Sequence, residues 1–86
     1  MKLERTTTFK KRYGKKNQKQ REKVKKTLSL LATNPRHPSL HTHKVQGTLD
    51  IFECYIDDSY RVTFEYGQNC IVLRNTCEHN AVLRTP

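Results

Sequence analysis

The chain has 86 residues, 34% of them hydrophobic, and a formal charge of +9 from 17 Lys and Arg against 8 Asp and Glu. That length gives one domain, residues 1–86, because a chain of this size buries only roughly 60–65% of the surface it exposes when unfolded. No apolar run is long enough to span a bilayer as a helix, and the apolar residues sit in periodic segments, which argues for a folded domain with a charged surface over a disordered chain.

Lys2 is followed by Thr6-Thr7-Thr8 and a lysine run where a signal peptide would have its apolar stretch, so a cytoplasmic protein is expected. Residues 3–8 have β-branched character and predict a first short strand. Thr7 or Thr8 then caps a helix starting at Phe9, whose buried stripe holds Phe9 and Tyr13, with Lys10, Lys11, Lys15 and Lys16 on its other sides. Gly14 and Asn17 weaken it and predict a break near residue 17. From about Lys19 to Ala32, Val24, Leu28 and Leu31 follow an i, i+4, i+7 pattern that predicts a second helix, stopped by Asn34-Pro35. The two helices form a basic hairpin. Residues 1–44 hold 14 of the 17 cations and only Glu4 and Glu22 as acids. A positive field clustered in this way predicts a polyanionic partner, by counterion release and steering.

Pro35 to Leu40, with two prolines in four residues, is expected to lack regular structure. His41 to Val45 reads as a short extended segment before Gly47 turns the chain. Beyond it, β-rich runs at 51–56, 60–66 and 70–75 are separated by turn-forming Asp57-Asp58-Ser59 and Gly67-Gln68-Asn69, so three antiparallel strands follow. Alternation places Phe52, Cys54, Ile56, Val62, Phe64, Tyr66, Ile71 and Leu73 on a core face. It leaves Arg61, Thr63, Glu65, Cys70, Val72, Arg74, Glu53 and Tyr55 on an opposite face that is expected to be open. Cys77 to Arg84 reads as a loop running into a terminal helical turn, with His79 beside the end of the strand that bears Arg74. The fold class is therefore α+β: an N-terminal strand and a basic helical hairpin on one face of a twisted antiparallel sheet. Cys54, Cys70 and Cys77 are expected as free thiols. Cys70, Cys77 and His79 match no common zinc spacing, so no metal and no cofactor is expected.

The order of parts resembles the RelE/ParE toxin superfamily: a strand, a basic hairpin ending in Leu-Leu-x-x-Asn-Pro, His-Pro-Ser-Leu, His-Lys-Val-x-Gly, Tyr-Arg-Val-Thr-Phe, Ile-Val-Leu-Arg and a closing His. The resemblance runs over almost the whole chain. The histidine near the C-terminus is closer in pattern to the ribonuclease branch of RelE, YoeB, YafQ and HigB relatives than to the gyrase-poisoning ParE branch. It implies a compact toxin domain, a cognate antitoxin as partner, and cleavage of mRNA with ribosomal RNA as a contact. By position, Arg61 fills the arginine of the family's Tyr-Arg motif, and His79 the histidine after the last strand. His43 and Lys44 match the His-Lys before the glycine. Arg74 lies one position earlier than the arginine of some relatives, and Leu83 stands where many members have Tyr or Phe. Base stacking would then fall to Tyr55 or Tyr60.

Metal-free RNA cleavage needs a base for the 2′-OH, charge on the phosphorane and an acid for the 5′ oxygen. His79 acts as acid or base, Arg61 stabilises charge with Arg74 beside it, and His43 or Lys44 supplies the third function. Lys10, Lys11, Lys15, Lys16 and Arg84 serve as RNA-binding cations. A plain structural alternative pairs Arg61 with Glu53 or Glu65. At the level of function the alternatives are a ParE-like gyrase inhibitor and a nucleic-acid-binding member that has lost catalysis.

Overall fold

The computed structural model describes residues 1–86. Strand β1 (Lys2–Arg5) is followed by helices α1 (Thr7–Gly14) and α2 (Gln18–Thr33), then strands β2 (His43–Lys44), β3 (Phe52–Tyr55), β4 (Tyr60–Gly67) and β5 (Cys70–Glu78). They form one five-stranded sheet in the order β1-β5-β4-β3-β2. The α+β architecture is the expected one. The sheet is mixed, however, because β1 lies parallel to β5, with Leu3 opposite Ile71, while the other pairs are antiparallel. The helices supply the crossover that a parallel pair requires.

β1 ends earlier than the β-branched run over residues 3–8 suggested, at Arg5. The Thr6 N–H donates to the Leu73 carbonyl at 3.1 Å, and its hydroxyl caps α1 by accepting from the Phe9 N–H at 3.2 Å. The cap is therefore Thr6, not Thr7 or Thr8, and the helix begins at Thr7, two residues sooner than expected. The break expected near residue 17 is there, between Gly14 and Gln18, and Asn17 also starts α2 through a reciprocal capping box with Gln20. Phe9 of α1 and Val24, Leu28 and Leu31 of α2 bury against Cys54, Val62, Phe64, Ile71 and Leu73 of the sheet. Each such side chain contributes roughly 1.5–3 kcal/mol when removed from water.

The Pro35–Leu40 segment is not wholly irregular. Pro38–Leu40 makes a single 3-10 turn that His37 caps, and it drives Leu40 into the core. His41 follows in the left-handed region, with φ 49° and ψ 40°, at a cost of roughly 1 kcal/mol for a residue with a β-carbon.

β5 runs three residues past the expected end at Asn75, to Glu78. It also contains a bulge. Phe64 lies opposite Leu73 while Thr63 lies opposite Asn75, so Arg74 has no partner in the ladder. The bulge reverses the alternation, and Asn75 and Cys77 take the face of Thr63 and Arg61. That face is not open. A 3-10 turn at His79–Ala81 folds the tail back so that Val82, Val45 and Cys77 form a second small core, with Ile51 and Ala81 against it. The tail is tied down further: Asn75 Nδ2 donates to the Thr85 carbonyl at 2.7 Å, and Arg74 Nε and Thr63 Oγ1 each reach the Pro86 carbonyl at 3.3 Å. No helix is long and apolar enough to cross a membrane.

Candidate functional site

Two histidines far apart in sequence meet on the second face. His43 of β2 and His79 at the end of β5 line one groove of about 390 Å³, together with Lys44, Glu53 and Leu83. The sheet brings them there. β2 and β3 pair with His43 opposite Glu53, and the length of β5 carries His79 to the rim, where its backbone N–H donates to the Ser59 carbonyl at 2.8 Å.

Glu53 was not among the residues singled out as functional. It is 6% exposed, and its Oε1 lies 2.8 Å from His43 Nε2, while His43 Nδ1 lies 2.8 Å from the His41 carbonyl oxygen. With a hydrogen on each nitrogen the ring makes both contacts; a neutral ring makes one and keeps a lone pair on the other. An acidic residue on the strand next to a histidine carries no sequence signal until the β2–β3 register is known.

Arg61 is placed differently from the expectation. It is 3% exposed, its Nη1 donates to the carbonyls of Asp57 at 2.6 Å and Tyr60 at 3.0 Å, and its guanidinium lies 3.6 Å from the Tyr55 ring centre. It pairs with neither glutamate: Glu53 meets His43, and Glu65 meets Arg74 at 3.6 Å. Arg61 therefore reaches the histidines only through Tyr55, whose ring lies 4.8 Å from His41 and 6.4 Å from His43. Arg74 is drawn toward the tail and Glu65, away from the groove.

The two tyrosines expected to stack on a base are occupied. Tyr55 lies between Arg61 and His41, while Tyr60 has Lys16 Nζ 4.6 Å from its ring centre and accepts from Gln20 Nε2 at 3.0 Å. Leu83 is 65% exposed, on the groove. Lys10, Lys11 and Lys15 are exposed on α1 and its C-cap, and Arg84 is exposed on the tail. Lys16 is different, because burial holds its ammonium below the usual lysine range, against the opposing pull of Cys77, Glu78 and Asp57. Burial likewise raises the Cys77 thiol, offset by Lys16 and Arg12.

No family model matches the sequence, and no curated protein matches it by sequence. Solved structures do match by shape. YafQ from E. coli strain BL21(DE3) superposes with a TM-score of 0.77 at 15% identity, covering 93% of this chain and 94% of that one. A YoeB/ParE toxin from Agrobacterium tumefaciens gives 0.76 at 15% identity, over 92% and 99% of the two chains. A chain of the intact E. coli RelBE toxin–antitoxin complex gives 0.71 at 20% identity, over 88% and 93%. At these identities the likeness speaks to the fold, and the fold of this chain is that of the RelE/ParE-type toxins.

Proposed function

We propose that the chain is the toxin of a type II toxin–antitoxin pair and acts as a metal-independent endoribonuclease on mRNA. The observation that carries the reading is the groove in which His43 and His79 converge with Lys44 and the buried Glu53. The toxins of like fold, one of them held with its antitoxin, support the toxin role and a protein partner. In this reading His79, exposed at the rim, exchanges a proton with one reacting oxygen, and the Glu53–His43 pair serves the other. Lys44 offsets phosphorane charge, while Arg61 supports the site through Tyr55. Reaction through the 2′-OH makes RNA the substrate and spares DNA. The exposed cations of α1 would lie on ribosomal RNA.

One observation favours a binding-only protein: Arg61 is bonded to loop carbonyls and stacked on Tyr55, so the family's charge stabiliser is not presented to the groove. Induction of the wild-type chain and of His43→Ala and His79→Ala, matched for folded protein, with primer extension on cellular mRNA, separates the readings. Cuts by the wild type that fall by about a hundredfold or more in each variant are expected of proton-transfer groups. Arrested growth with intact messages and altered supercoiling would point to gyrase instead. Intact messages without arrest would point to binding alone.

A further inference from the structure

On the opposite side of the edge strand lies a second groove, of about 460 Å³, between the Arg36–Thr42 loop and the sheet. Its floor is aromatic. Phe52 and Tyr66 meet edge to face at 5.3 Å, and Phe64 backs both, at 5.9 and 5.6 Å. Tyr66 was assigned to the core face, yet it is 43% exposed. Arg36, His37 and His41 form the rim. His37 Nδ1 accepts from the Ser39 N–H at 3.2 Å, which leaves Nε2 of the neutral ring as a donor. His41 is the joint between the two grooves: it lines this one, its ring rests on Tyr55, and its carbonyl accepts from His43. It does so from a left-handed backbone, the kind of outlier that the surrounding structure sustains at functional positions.

We infer that this second groove holds a nucleotide of the single-stranded RNA that runs into the His43–His79 groove, its base stacked on Tyr66 and Phe52 and its phosphate on Arg36 and His37. The inference rests on the ribonuclease reading. Three features favour RNA over other occupants: an exposed aromatic face, a cationic rim with a neutral donor, and the position of His41, which lines this groove and contacts His43 of the other. Aromatic stacking is sequence-tolerant and accounts for a large share of single-strand affinity. It also supplies the platform that Tyr55, Tyr60 and Leu83 do not.

The test uses the full chain and a fluorescein-labelled, uncleavable 2′-O-methyl RNA hexamer of mixed sequence, with anisotropy for affinity and amide chemical shifts for location. Tyr66→Ala and Arg36→Gln each weaken binding about tenfold, Tyr66→Phe binds like the wild type, and the hexamer shifts the resonances of Phe52 and Tyr66. Both altered side chains are exposed, and native amide spectra of the variants control for folding. Any other pattern overturns the inference, including binding unchanged in both variants, shifts confined to residues 43–45 and 79–83, or shifts produced by a glutamate-rich peptide and not by the hexamer. The last result would give the groove to a protein partner. Cleavage is read by primer extension on cellular mRNA after induction of the same proteins. A wild type that holds the hexamer here and leaves messages uncut removes the ribonuclease reading alone; one that cuts while the groove variants bind normally removes this inference alone.

Discussion

Arg61 keeps its charge beneath the surface by trading water for two carbonyls and a ring. The stack on Tyr55 is worth up to roughly 2 kcal/mol when desolvated. The buried Nε without a partner works against it by roughly 1–3 kcal/mol. Alternation along β4 correctly gave the face of Arg61, but burial depends on the folded-back tail, which alternation does not encode. Cys54 is a second group defined by burial, which, with the Glu53 charge beside it, pushes its thiol up to about 12. In the folded state that thiol stays neutral where the unfolded chain, near the ordinary value of 9.0, ionises. The unfolded state then binds fewer protons, so stability is complete below about pH 9 and declines as pH rises toward 12, by about 1.4 kcal/mol per pH unit at most. Thermal melts across pH 8–11 will show a fall in Tm that is shallower in Cys54→Ala, whose baseline is lower because of the cavity. An equal slope in the two proteins would mean that other groups set the alkaline limit.

At the scale of elements, α2 was legible because its stripe has helical period and its end is an Asn-Pro. Its start, read at about Lys19, falls within one residue of the observed Gln18; the capping role of Asn17 was not legible, since asparagine weakens a helix interior and strengthens an N-cap, and only position decides which. Asn17→Ala removes the side-chain half of the capping box, the Oδ1 that accepts from the Gln20 N–H, while the backbone N–H of residue 17 keeps its bond to Gln20 Oε1; the loss is expected to cost about 1 kcal/mol, lowering Tm by about 4–8 °C in a domain of this size. Asn17→Ser should recover most of the loss. Strand β5 was misread in both length and register. An extended run that ignores its bulge ends at Asn75 and places Thr76, not Cys77, on the face of Arg61. The extra residue at Arg74 corrects both, and no local composition announces it. His79 gains its place from this: a strand of Cys70–Glu78 delivers it to the groove rim, whereas a loop after Asn75 would leave it free.

Over the whole molecule, the basic amino-terminal half and the mildly acidic remainder were plain from the sequence, and the fold class followed from the order of strands and helices. Convergence of His43 with His79 was not, because it depends on the pairing of a two-residue strand and on the direction of the tail. The charge makes a testable statement. Lys10, Lys11 and Lys15 are exposed, while Lys16 is committed to the Tyr60 ring. Substituting the first three by Gln should weaken binding to structured RNA and reduce the slope of log affinity against log salt by about 2–3, near 0.9 for each lost phosphate contact. Adding Lys16→Gln should change the slope less than any of the three. An unaltered slope in the triple variant would remove α1 from the RNA-binding surface. One consequence of the mixed sheet concerns time. β1 has a single neighbour in the ladder, β5, so the strand synthesised first stays unpaired until the strand synthesised last has emerged. Such long-range pairing is slow to form, and the histidine at residue 79 emerges only after β5 itself. During synthesis the chain thus has its cations long before it has its groove, and the order of translation by itself delays assembly of the candidate site until β5 and the turn after it have been made.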